Sequence, residues 1–172
     1  MEHTITVLTI SNVIPAGGIG LLADAPWSNG APIVMNDPVL STIVISDDDD
    51  AFRSGTYTYD ETDQLLVHDA VFGHGDNAKI TPAGTQMSNF VASIITSDAE
   101  DSYVVMYPRS YEHYGAGTEF GARQSLLIFP IPDDNGIEPV FDPGARYTYA
   151  GVRSFGPGDD AQPWPAPTAS AC

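Results

Sequence analysis

No stretch of this chain sustains the 3.6-residue apolar period of a helix. What recurs instead is a short β-branched run that stops at acidic residues or at Gly and Pro. Residues 40–50 set the pattern: Leu-Ser-Thr-Ile-Val-Ile-Ser leads directly into Asp47, Asp48, Asp49 and Asp50. Further runs of this kind lie at 4–10, 52–59, 65–68, 71–75, 78–81, 89–96, 103–107, 126–129 and 146–155. Short strands with turns every eight to twelve residues or so predict a sandwich or a barrel. The expected fold is all-β: a single antiparallel β-sandwich or barrel-like domain over residues 1–155, with a Pro-rich C-terminal tail over 156–172. Helix content is expected below about a tenth.

The details of these runs place the core. In the first, Ile5 and Val7 point one way and Leu8 and Ile10 the other, which predicts a bulge or burial on both faces. The runs at 103–107 and 126–129 are almost continuously apolar, as central strands covered on both faces should be. Pro130 and Pro132 push the end of the second run to an edge, since proline cannot donate to a ladder. A short strand is expected at 33–35, and Trp27 is read as a plug over the core. Asn135-Gly136 predicts a type I′ hairpin turn and Asp142-Pro143-Gly144 a second turn. Ile43, Val105, Ile128 and Tyr147 are expected in the core.

Charge excludes whole classes of partner. Six basic residues stand against 23 acidic ones, a net charge of −17, and Lys79 is the lone lysine. Binding nucleic acid needs a basic footprint, so no nucleic-acid partner is expected. An anionic membrane surface repels the chain for the same reason. No apolar run approaches the roughly 18 residues of a spanning helix, so membrane insertion is not expected. The first residues carry no basic region, so export would use a route other than a cleaved leader, or the protein would leave inside a particle. The single cysteine, Cys172, rules out an internal disulfide.

Three clusters are candidates for chemistry. Asp47, Asp48, Asp49 and Asp50 repel one another, and Ca²⁺ would relieve that strain. The loop is no EF-hand, because Ala51 and Phe52 fill the third-ligand and glycine places. A site shared with Asp60, Glu61 or Asp63 competes with a plain solvated acidic turn. His68, His74 and Asp76 are ligand types for a transition metal, but their spacing matches no short motif. Tyr111, Glu112, Tyr114, Glu119 and Phe120 flank a Gly-rich loop. Aromatic faces with two carboxylates could hold a sugar or hydrolyse it; the competing reading is a hairpin loop with no role. No Gly-x-Ser-x-Gly elbow or phosphate loop is present.

Residues 156–172 hold four prolines and one large apolar side chain, Trp164. Such a segment has no core of its own, so Trp164 is expected to anchor it in an apolar pocket, on this domain or on a neighbouring copy.

The run Thr-Ile-Val-Ile-Ser-Asp-Asp-Asp-Asp-Ala-Phe-Arg-Ser-Gly at 42–55 resembles the opening of the bacterial β domains that precede Hint (hedgehog/intein) modules. The similarity continues at 102–107, at 126–130 and in Phe-Asp-Pro-Gly-Ala-Arg-Tyr-Thr-Tyr at 141–149. It implies that Cys172 is the processing junction, where a Hint module would perform an N–S acyl shift with an activated thiol. In that family a Phe and a Gly-Thr motif follow the cysteine; here the sequence ends at Cys172. A retained cysteine argues against completed processing. The resemblance carries no catalytic residues for this portion. The leading reading is a non-catalytic structural or adhesion domain, extracellular or at the cell surface, whose partners are copies of itself or a larger assembly, with glycans suggested by the aromatic loop. Alternatives are a virion spike, fibre or decoration protein, and a carbohydrate-active enzyme.

Overall fold

A computed structural model describes residues 1–12, 30, 32–48, 50–53, 64–88, 91–110, 120–154 and 161–167; for 53, 91, 152–154 and 161 it describes backbone alone. The strands are β1 Glu2–Thr9, β2 Val39–Ser46, β3 Ala51–Arg53, β4 Leu65–Leu66, β5 Ala70–Phe72, β6 Lys79–Thr81 and β7 Met87–Ser88. They continue with β8 Val91–Ser97, β9 Ser102–Met106, β10 Arg109–Ser110, β11 Ser125–Pro130, β12 Tyr147–Ser154 and β13 Ala161–Pro163. Among the described residues there is no α-helix, only 3-10 turns at Gly75–Asn77 and Gly121–Arg123. No helix among them is long and apolar enough to cross a membrane.

Seven strands form one antiparallel sheet in the order β12-β8-β9-β11-β1-β2-β4. Three two-stranded ladders, β3–β13, β5–β6 and β7–β10, stand outside it. The sheet has a core on each face. On one, Ile5, Ile45, Val104, Leu127 and Phe129 pack with Phe52, Phe72 and Met87 from the small ladders. On the other, Leu8, Val105, Leu126 and Ile128 pack with Tyr103, Phe141, Tyr147 and Tyr149. Successive residues of β9 and β11 therefore alternate between two apolar layers, and their continuous apolar runs follow from that. In β1, Ile5 and Val7 enter one core and Leu8 and Ile10 the other. Its register with β2 runs unbroken from Glu2 to Thr9, so two-faced burial, not a bulge, explains the phase change. Ile43, Val105, Ile128 and Tyr147 are all buried.

The differences from expectation are local. β11 is an interior strand, yet its last residue, Pro130, is paired on the β9 side alone, and Pro132 lies beyond the strand. Ile131 N donates to Ser102 O on the β9 side, which turns the Pro130 nitrogen toward β1. Pairing with β1 has ended there, at Thr6↔Ile128, so no donor is missed. At Asn135-Gly136 only Gly136 has a positive φ, 77°, so the turn is not type I′. Asp133 shapes it: its carboxylate accepts from Asn135 N at 2.8 Å and Ile137 N at 2.9 Å, and its carbonyl from Gly136 N at 2.9 Å. Residues 33–35 form no ladder. Pro32 makes a single bridge to Thr148, and Ile33 N donates to Tyr147 O at 2.8 Å.

The second turn is fixed to the sheet by Tyr147. Its hydroxyl donates to Asp142 O at 2.7 Å and accepts from Asp142 N at 3.2 Å, while Gly144 N donates to the Asp142 carboxylate at 2.8 Å. Burial pushes the Tyr147 and Tyr103 phenols above their ordinary range, Tyr103 the more strongly. Within the expected tail, Ala161–Pro163 pairs with Ala51–Arg53 as a short ladder. Pro163, which has no N–H to offer a further pair, ends it.

Candidate functional site

Two clefts gather the side chains that can do chemistry. The first lies where the tail crosses β1. It measures about 460 Å³, with Glu2, His3, Asp48, Asp50, Trp164 and Pro165 among its walls. The imidazole of His3 and the indole of Trp164 stack with centroids 4.2 Å apart and planes 4° from parallel. The indole also meets Phe52, 5.3 Å away and tilted by 38°. Trp164 thus seats the tail on its own domain. His3 Nε2 and Trp164 Nε1 are buried, and neither has a hydrogen-bond partner among the described residues. Burial holds the His3 pKa below its ordinary value; the nearby Asp47 carboxylate opposes this, and the Met1 ammonium adds slightly to it.

The acidic run opens outward from this point. Asp47 is buried, at 3% exposure, and its backbone closes on Met1: the ammonium donates to Asp47 O at 2.7 Å, and Asp47 N donates to Met1 O at 2.9 Å. Asp48 and Asp50 are exposed. Asp49, Asp60, Glu61 and Asp63 lie outside the described residues. Among the described residues no three His, Cys, Asp or Glu side chains come together as a metal site, and this includes His68, His74 and Asp76. Strand alternation carries Asp47 inward, while Asp48 and Asp50 stand exposed along the cleft.

The second cleft measures about 430 Å³ and is lined by Asn77, Lys79, Ile80, Thr85, Phe120 and Ala122, among others. Of the aromatic loop only Phe120 is described; Tyr111, Glu112, Tyr114 and Glu119 lie outside, as do Trp27 and Cys172. One face of Phe120 stacks on the buried Phe72, with centroids 6.1 Å apart. Its N–H donates to Pro108 O at 2.9 Å.

Behind Phe120 the backbone is strained. Gly121, Ala122 and Arg123 have φ of 80°, 51° and 60°, three successive left-handed residues. Each non-glycine residue there costs about 1–2 kcal/mol. Two buried polar side chains hold the turn. Gln124 Oε1 accepts from His74 N and Asn77 Nδ2, both at 3.2 Å, and Nε2 donates to Ser11 O at 2.8 Å. Ser125 Oγ accepts from Gly73 N at 2.8 Å. The bonds draw the end of β1, the turn after β5 and the Gly121 turn onto one point. Gly121 is required: a Cβ there would sit 2.7 Å from Gly73 N and 2.9 Å from Phe72 Cβ.

Sequence reasoning missed His3, Gln124 and the left-handed turn. Nothing local marks the first two; a Gly before Ala-Arg at the foot of an apolar run is the faint signal for the third. Comparison with protein-family models, with curated proteins and with solved structures gives no match.

Proposed function

We propose that this chain is a non-catalytic structural or adhesion module, extracellular or at the cell surface, of the kind that precedes a Hint module. The observation that supports it is the contrast between a sheet buried on both faces and a rim that presents apolar groups. Val71 and Ile80 are cross-strand partners on the β5–β6 ladder and are 56% and 69% exposed. An apolar pair held outward on a short two-stranded ladder beside an aromatic cleft is a contact surface. The net charge of −17 keeps such a surface from associating indiscriminately. In a precursor, Cys172 would be the junction residue.

Antibody labelling of intact source cells, beside permeabilised cells and purified particles, tests the reading. Label on intact cells or in the medium supports it. Label confined to permeabilised cells overturns it, and label on particles alone replaces it with a virion component. A calcium role for the acidic run has a separate readout. A site with Kd of about 0.1–1 mM adds roughly 1.4–2.7 kcal/mol of stability at about 10 mM calcium. An equal shift from NaCl at matched ionic strength leaves a solvated turn.

A further inference from the structure

We propose that the cleft beside Phe120 binds a neutral sugar, as the ligand through which the module adheres. The inference rests on the adhesion reading and names its ligand class.

Phe120 has one face against Phe72 and borders the cleft. A sugar ring presents an apolar face of C–H groups and a polar rim of hydroxyls. An immobile aromatic ring takes the first at little entropic loss. The backbone of Phe120 is tied on both sides, by its N–H bonded to Pro108 O and by the strained turn that begins at the next residue. That turn is held by Gln124 and Ser125, so its conformation is set before any ligand arrives.

The polar groups suit the hydroxyl rim. Lys79, Asn77 and Thr85 line the same cleft. Lysine and amide N–H groups donate, and hydroxyl and amide oxygens accept, which is the mixed set that a polyol requires. Ile80, 69% exposed, extends the apolar floor past the ring. A volume near 430 Å³ lies in the range of small-molecule sites.

Charge decides between neutral and acidic sugars. Lys79 alone would favour a carboxylate or sulfate. It is one cation on a molecule of net charge −17, and Asp76 stands three residues before it. The field of the whole chain repels an anion approaching the cleft, so the ammonium serves as a hydrogen-bond donor to a neutral ligand. Among the described residues the cleft lining holds no carboxylate, and the proposal is of binding.

The test is amide chemical-shift titration of the full chain with cellobiose, maltose, mannobiose and xylobiose, and with glucuronic acid as the acidic arm. Shifts at residues 77–85 and 120–123 with at least one neutral disaccharide, saturating in the millimolar range, are expected. Phe120→Ala should weaken that binding about tenfold or more. Because Phe120 also packs on the core, Lys79→Ala and Ile80→Asp serve as surface variants that keep the fold. Each should weaken binding several-fold, while Val140→Asp, at a remote 89% exposed position, leaves it unchanged. No shift with any neutral sugar overturns the proposal, as does binding indifferent to both surface variants, or preference for glucuronic acid. Failure here with label on intact cells leaves the adhesion reading standing without this ligand; the reverse pattern removes adhesion and keeps the site.

Discussion

The His3 cleft is closed by side chains that meet from opposite ends of the described chain, whereas the Phe120 cleft is shaped by backbone. At the first, an imidazole and an indole stack over Phe52, and the residues on either side have ordinary conformations. At the second, three successive left-handed residues are held by a buried glutamine and a buried serine. Contacts between side chains can be weakened by degrees, by truncation or by protonation. A turn built on a glycine that touches a neighbouring backbone has no such gradation. The first cleft should therefore be tunable and the second brittle.

Both depend on the sheet between the two cores, and the largest effect comes from there. Val105, fully buried on β9, touches the aromatic core that Tyr103 and Tyr147 complete. Val105→Asp buries an unpaired charge and should destabilise by more than about 4 kcal/mol. Circular dichroism and urea unfolding would show a chain without a cooperative transition. A variant that melts like the parent would mean that β9 is not central.

Gly121→Ala separates the clefts. The added methyl would meet the Gly73 backbone and the Phe72 side chain, and positive φ disfavours alanine independently. A loss of about 3 kcal/mol is expected, with the Phe120 amides perturbed and the His3 amides unmoved in NMR spectra. A loss below about 1 kcal/mol would show that the turn relaxes without strain, and the contrast would fall.

Trp164→Ala is the matching probe of the other cleft. A fully buried aromatic truncation costs about 3–5 kcal/mol, and Trp164 is only partly buried, so about 2 kcal/mol is expected. Hydrogen exchange at Ala161 and Gln162 should accelerate, because the β3–β13 ladder loses its anchor. Oligomeric state should not change, since the indole sits on its own domain. A shift in sedimentation would transfer the pocket's role to a neighbouring copy.

What could be read in advance follows the same division. The runs of β9 and β11 were legible because burial on two faces leaves no polar position to hide them. Trp164 was legible by contrast, as one large apolar group among prolines. The stack with His3 was not: a histidine in an ordinary strand gains its partner only when distant segments pair. Asp47 follows Ile43 and Ile45 at the strand period of two, so its inward turn was legible only by carrying that alternation on into the acidic run. The left-handed turn was invisible because Ala122 and Arg123 do not favour positive φ. It is held by the bonds of Gln124 and Ser125 to distant backbone, a tertiary cause with little local trace. The same limit explains Asn135, whose preference for a type I′ turn yields to the Asp133 carboxylate.

The smallest effect tests the tunability of the His3 cleft. Burial lowers the folded-state pKa of His3 below about 6.5, the value of the unfolded chain. Between the two values the unfolded state holds more protons, so stability rises with pH across that window. Read downward, the stabilising contribution of neutral His3 is present above about 6.5 and is lost as pH falls through that value to the folded-state pKa. Below both it changes no further. Asp47 limits the shift by favouring the protonated ring. Other carboxylates also titrate at acid pH, so the informative quantity is the difference between the parent and His3→Gln in urea midpoint from pH 8 to pH 5. It should be flat above about pH 7 and should then move against the parent as the pH drops. Trp164→Ala should erase that pH-dependent difference, because without the indole the imidazole is no longer buried. A difference that is flat throughout would show that His3 titrates alike in both states. One that moves in the parent's favour would mean that Asp47 outweighs burial and the charged ring is the stabilised form.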